Sequence, residues 1–193
     1  MFYKVCKFDE ISEIEMSKVL ILLSNEQREY IINKPSAKRR QSLAARVLLY
    51  KLLNKHHPDV NLCNLRFNEN GKPYITDNEN IYISITHSHD MVGCAVSEKP
   101  IGIDVEKKRD VAVKTINRVC TVCEQKYLEK QPMDFFKFWT AKEALYKAVN
   151  DSFSNVIKHS FSDGENFIYD KSYINLYSDE NSEYFWTVIE LSK

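Results

Sequence analysis

The apolar residues of this chain keep two different periods, and the period switches along its length. Over residues 2–8 they alternate with polar ones, as in a strand. Ser12-x-x-Glu15 and Ser24-x-x-Gln27 are capping boxes that can satisfy free N–H groups at a helix start, so a short helix is expected after each. Over residues 36–55 the period becomes helical, with Leu43, Val47, Leu48 and Leu52 on one face. That helix should stop near His56-His57-Pro58, because proline disfavours helix at the residue before it. Residues 65–97 read as antiparallel strands. Asn70-Gly71 is a tight-turn pair, Ile81, Ile83 and Ile85 alternate with Tyr82, Ser84 and Thr86, and His87-Ser88-His89-Asp90 turns the chain into the next strand. Another strand is expected at 101–106. Thr121-x-x-Glu124 then opens a helical zone, and Asp134 is placed to cap a helix over 135–150. Strand-like pieces follow at 157–162, 166–169, 173–177 and 184–191.

Strand, helices and strands thus occur twice in succession. The expected fold class is α+β: two similar lobes, each a small antiparallel sheet packed with helices and related by a pseudo-twofold axis, an N-terminal lobe over 1–100 and a C-terminal lobe over 101–193. At 193 residues, 44% hydrophobic and 12% aromatic, the chain can bury a core in each. Lysines and arginines balance aspartates and glutamates at 27 each, so no net field draws it to nucleic acid or to a membrane surface, and any anion site must be local. No apolar run reaches the ~20 residues of a bilayer span. The first residues alternate like a strand and lack the apolar segment of a signal peptide, so a cytoplasmic protein is expected. Five cysteines fit reduced thiols, and Cys120-x-x-Cys123 has no second pair at zinc-finger spacing. From four glycines neither a dinucleotide fingerprint nor a P-loop can be written, so a nucleotide-type ligand must be gripped by side chains.

Two segments carry the chemistry. In Ile101-Gly102-Ile103-Asp104-Val105-Glu106 the alternation puts both acids on the face opposite the isoleucines. They form either a solvated strand face or a pair that a cation must separate. In Trp139-Thr140-Ala141-Lys142-Glu143-Ala144-Leu145-Tyr146-Lys147, Glu143 and Lys147 are one turn apart, which alone would be an ordinary surface pair worth about 0.3–0.5 kcal/mol. Lys142 is different. It falls inside the stripe of Phe135, Phe138, Trp139, Tyr146 and Val149, where an ammonium must snorkel or meet an anion.

In this order, with Arg39-Arg40-Gln41-Ser42-Leu43-Ala44-Ala45-Arg46, Asn70-Gly71-Lys72-Pro73 and Ser84-Ile85-Thr86-His87-Ser88 before them, these segments resemble the 4′-phosphopantetheinyl transferases. The length is that of their larger, pseudo-dimeric surfactin-synthetase-activator type. The resemblance implies transfer of the phosphopantetheine arm of coenzyme A to a serine of an apo acyl or peptidyl carrier protein, with release of adenosine 3′,5′-bisphosphate. It implies Mg²⁺ on Asp104, Glu106 and Glu143. Asp104, Glu143 and Lys147 are the expected catalytic residues, with Glu143 or a metal-bound water taking the serine proton. Lys147 and Lys142 are expected on the coenzyme phosphates. Arg40, Lys72, Thr86 and His87 in the first lobe are expected at the nucleotide end. Departures from the family pattern are Ser84 for asparagine, Thr86 for serine, and Gln27 and Tyr30 where lysines stand, which shifts the 3′-phosphate grip toward bases such as Arg28 or Lys38. Carrier docking is expected on 111–122 beside Lys107, Lys108 and Arg109, and the protein is expected to act as a monomer. The same acids would also serve a metal-dependent nucleotide phosphohydrolase, and the fold alone a non-catalytic coenzyme A or carrier-protein binding module.

Overall fold

The computed structural model describes residues 1–149, 151–161 and 168–192. They fall into two units, Met1–Lys99 and Pro100–Lys193.

In the first unit, strand β1 (Phe2–Lys7) is followed by helices α1 (Glu13–Leu22), α2 (Asn25–Ile32) and α3 (Ser36–His56), then by β2 (Leu65–Phe67), β3 (Pro73–Ile75), β4 (Tyr82–Ser88) and β5 (Met91–Ser97). The sheet runs β1-β5-β4-β3-β2, antiparallel throughout. Both serine boxes start helices, in different ways. At α1 the exchange is complete: Glu15 N donates to Ser12 Oγ at 3.3 Å and Ser12 N to Glu15 Oε2 at 2.9 Å. At α2 only Ser24 caps, accepting from Gln27 N at 3.3 Å. The Gln27 side chain turns inward instead and accepts from the buried Arg46 guanidinium at 2.7 Å. Helix α3 lays Leu43, Val47 and Leu49 onto the sheet and stops at His56. Gly71 takes the left-handed conformation (φ +76°) that the β2–β3 turn requires.

The second unit comprises β6 (Ile101–Lys107), α4 (Val113–Val119), α5 (Val122–Leu128), α6 (Phe135–Ala148), α7 (Phe153–Val156), β7 (Ile168–Tyr169), β8 (Ser172–Glu180) and β9 (Tyr184–Ser192). Its sheet runs β6-β9-β8-β7. As in the first unit, the first strand pairs antiparallel with the last and the longest helix lies on the sheet. The shared lobe topology expected from the order of elements is therefore real, and the fold is α+β with two antiparallel sheets packed with helices.

Three local expectations fail. Residues 157–161 form a turn after α7 and not a strand, because the carbonyls of Ile157 and His159 are taken by Lys142 at 2.8 and 2.7 Å. The expected strand pieces also reach residues 162, 166 and 167, which lie outside the described residues. Asp134 stands at the start of α6 without capping it, because its carboxylate accepts the Tyr127 hydroxyl at 2.8 Å. Helix α6 ends at Ala148, where Val149 turns extended; Asn150, the expected end, lies outside the described residues.

Candidate active site

The site is built where α6 crosses β6. Cross-strand partners share a face, so Gly102, Asp104 and Glu106 stand beside Ile189, Thr187 and Phe185. Helix α6 covers this face. A Cβ on Gly102 would sit 1.8 Å from the Ala144 carbonyl oxygen, so only glycine lets the helix come this close. Asp104 is accordingly 5% exposed, and the solvated strand face is excluded for it. The other face, Ile101, Ile103 and Val105, is also buried.

Below the helix lies a chain of hydroxyls that runs from the buried Thr140 and Thr187 out to the exposed Ser178. Thr140 Oγ1 lies 2.8 Å from the Phe136 carbonyl and 2.7 Å from Thr187 Oγ1, and Ser178 Oγ is 3.0 Å from Thr187 Oγ1. Each hydroxyl has one hydrogen. With that of Thr140 committed to the carbonyl, Thr187 donates to Thr140 and Ser178 to Thr187. The chain pins α6 to β9 opposite Asp104.

Four expected residues come together here. Lys147 Nζ is 2.7 Å from Asp104 Oδ1 and donates to the Ile103 carbonyl at 3.0 Å. Glu106 accepts from Trp139 Nε1 at 3.3 Å and pairs with Arg109 at 3.2 Å. Burial first, and then the charge of Asp104, pushes the Glu143 carboxyl up to about 7. Lys147 opposes the rise and Glu106 adds to it. The three acids therefore feel one another, and a cation among them would relieve the repulsion.

Lys142 does not join this group. It is fully buried, its ammonium 3.0 Å from Glu124 Oε2, with its other bonds to the Ile157 and His159 carbonyls. The anion its position demands is a side chain of the same unit. In the first unit, Thr86 (buried) and His87 (exposed) lie at the end of β4, beside the turn whose His89 carbonyl accepts from Gln41. The neighbouring Arg40 is 3.3 Å from Glu13 and its guanidinium lies 5.2 Å from the Phe8 ring. Lys72 stands at the turn before β3, its ammonium pKa lowered by burial.

Reading the sequence missed Glu124, Thr187 and the Trp139–Glu106 bond. A signal existed for the first: a lysine inside an apolar stripe needs a buried acid, and Glu124 begins a nearby helix. For Thr187 the signal was a single hydroxyl in the otherwise apolar inner row of β9. Nothing in the spacing joins Trp139 to Glu106.

The donor set is all oxygen, the kind a hard divalent cation prefers. Among the described residues no three His, Cys, Asp or Glu side chains close on one point as a ready cage. Mg²⁺ does not need one, since it usually keeps waters and takes one or two carboxylates plus substrate phosphates. The residues fit the ion on those terms.

Comparison with known proteins gives this arrangement its class. Residues 100–189, nearly the whole second unit, match the model of the 4′-phosphopantetheinyl transferase superfamily. Over that stretch the chain is similar to those proteins, in line with its motifs. It is 33% identical to the 4′-phosphopantetheinyl transferase gsp of Aneurinibacillus migulanus over 56% of this chain and 48% of that protein. It is 29% identical to the 4′-phosphopantetheinyl transferase Sfp of Bacillus subtilis (strain 168) over 71% and 64%, and 29% identical to the 4′-phosphopantetheinyl transferase AcpT of Salmonella typhi over 70% and 72%. The chain thus spans about half to two thirds of the length of gsp and Sfp.

Proposed function

We propose that this protein transfers the 4′-phosphopantetheine arm of coenzyme A to a serine hydroxyl of an apo acyl or peptidyl carrier protein. The serine oxygen displaces adenosine 3′,5′-bisphosphate from the phosphorus that bears the pantetheine arm. The observation that carries this reading is the cluster under α6: Lys147 on Asp104, with Glu143 buried near enough to Asp104 and Glu106 for burial and their charges to raise its pKa. The names of the relatives support the substrate class.

Asp104 and Glu106, with Glu143, would hold Mg²⁺, which when bound offsets charge on the diphosphate. Lys147, already beside this acid face, would meet the phosphate oxygens as negative charge builds on the leaving group. Glu143, or a water held beside it, would accept the serine proton. Trp139 and Arg109 hold the Glu106 carboxylate in place. Arg40, Lys72, Thr86 and His87 are assigned to the nucleotide end. Lys142 is not retained as a phosphate ligand.

An acidic carrier would dock on α4 and α5, where Val113 and Val122 are more than two thirds exposed at 69% and 67%. Lys114, Arg118 and Lys126 on the same helices are exposed and supply the positive rim. The 107–109 cations are less available. Lys107 is 3.7 Å from Glu183, Lys108 pairs with Glu180, and Arg109 pairs with Glu106. The cysteines are all free thiols, as a reducing cytoplasm would keep them, and no helix among the described residues is long and apolar enough to cross a membrane. Action as a monomer belongs to the same reading.

The test is incubation with coenzyme A, Mg²⁺ and a panel of apo carriers, followed by intact-mass spectrometry. A gain of one phosphopantetheine on a carrier, abolished by EDTA, is expected. Release of free phosphate without a mass gain would instead indicate hydrolysis. Binding of coenzyme A indifferent to Mg²⁺, without transfer, would indicate a non-catalytic module.

A further inference from the structure

Lys142 and Glu124 are both completely buried, and their charged atoms lie 3.0 Å apart. The three donors of the ammonium are all used. The lysine also donates to the Ile157 and His159 carbonyls. The glutamate accepts the backbone N–H of Thr121 at 2.7 Å and that of Phe161 at 2.9 Å. One ion pair therefore ties together three pieces of chain: the start of α5, the middle of α6, and the turn at 157–161. These bonds satisfy backbone donors and acceptors that no strand pairing takes up.

Its place on α6 gives the pair its meaning. Lys142 directly precedes Glu143, and Lys147 lies little more than one turn further on. The other flank of the helix rests on β6 without clearance, Ala144 against Gly102. The helix is thus fixed on one side by backbone contact and on the other by a buried, hydrogen-bonded ion pair. Its rotation and translation relative to Asp104 are determined together. A buried pair of this kind is a poor source of net stability compared with an apolar pair of the same size, but removing one member leaves an uncompensated charge.

We infer that Glu124 and Lys142 are positioning residues: their buried pair sets the register of α6 that brings Glu143 and Lys147 to Asp104, and touches neither coenzyme A nor carrier. The inference rests on the proposed transfer reaction for its kinetic consequences and on the geometry alone for the rest.

The test compares Lys142→Met, Glu124→Gln and the double variant, with Lys142→Arg as the conservative replacement. Urea unfolding followed by circular dichroism gives the coupling. Calorimetric titration with coenzyme A and Mg²⁺ gives ligand affinity, amide hydrogen exchange reports on 157–161, and steady-state kinetics separates kcat from KM. Each single neutralisation should lower the folded-to-unfolded ratio by ~100-fold or more. The double variant should recover most of that loss, because no charge is left unpaired, and so provides a folded protein for the remaining measurements. In it, coenzyme A affinity and both KM values should stay within about twofold, kcat should fall ~10- to 100-fold, and exchange at 157–161 should accelerate. Lys142→Arg should restore part of kcat.

A Lys142→Met protein that loses coenzyme A affinity while Glu124→Gln keeps it, with additive effects, would make Lys142 a ligand and overturn the inference. So would a folded double variant with wild-type kcat. Failure of the transferase reading looks different: the wild-type chain would modify no carrier, while the coupling in unfolding and exchange remained.

Discussion

At the scale of single residues, the acid cluster decides what can be measured. Glu143 combines burial with two neighbouring carboxylates, so it holds a proton to higher pH than in the unfolded chain, where a glutamate titrates near 4.5. The sign follows. Between these two pKa values the folded state binds more protons than the unfolded one, so this residue's contribution is fully favourable below about pH 4.5 and is lost as pH rises through about 7. In EDTA, Glu143→Gln should therefore gain stability relative to wild type between pH 5 and pH 8, read by urea midpoints. A constant difference across that range would show that the carboxyl titrates normally. In transfer assays the same substitution should lower kcat by ~10²-fold or more, the typical contribution of general-base help, and near-normal turnover would remove Glu143 from the mechanism.

Sequence conveyed these residues unevenly. Strand alternation paired Asp104 with Glu106 and helical spacing paired Glu143 with Lys147; the family resemblance of the motifs joined the two pairs. Helical spacing also marked Lys142 as anomalous. That it needed a buried acid was legible too, but which acid reaches it depends on how α5 packs against α6, a long-range fact without a local spacing. The motif implies a phosphate role for Lys142, whereas its buried ammonium is paired with Glu124.

At the scale of elements, close packing of α6 on β6 makes glycine irreplaceable at position 102. Gly102→Ala must push the helix away or break its carbonyl contact. Overpacking of this kind commonly costs ~1–3 kcal/mol. Because the shifted helix carries Glu143 and Lys147, activity should fall further than the population of folded protein does; parallel losses would argue against it. At the other end of the chain, Ser12→Ala removes one half of the α1 box and should cost about 0.5–2 kcal/mol in chemical denaturation. Its partner Glu15 is held down to about 2 by Lys51 first and then by Ser12. That contribution is complete above the unfolded value of about 4.5 and fades as pH falls toward 2. Glu15→Gln should therefore lie below wild type at pH 6 and approach it at pH 2.5. Helix starts were legible because a serine box is a local, i to i+3 device. The failures at Asp134 and at 157–161 share one cause, a tertiary partner that took the group which local rules had reserved for the backbone.

At the scale of the whole molecule, two units repeat one plan, with the first strand beside the last and a long helix across the sheet. The order of periods along the chain disclosed the plan, whereas residue-level similarity between the halves did not. If carriers approach α4 and α5, then Val122→Asp should raise KM for the carrier about tenfold or more and leave KM for coenzyme A unchanged, as expected for a central apolar contact at an interface. A carrier KM unchanged from wild type in that variant would place docking elsewhere.

The sheet order of the second unit has a consequence for biosynthesis. Strand β9, the last strand of its sheet in chain order, lies inside that sheet, hydrogen-bonded to β6 on one side and β8 on the other. Until Tyr184–Ser192 is made, the strand bearing Asp104 and Glu106 has no partner within that sheet. A nascent chain cut off just short of those nine residues would display two raw β-edges at once, a substrate for chaperones and for aggregation.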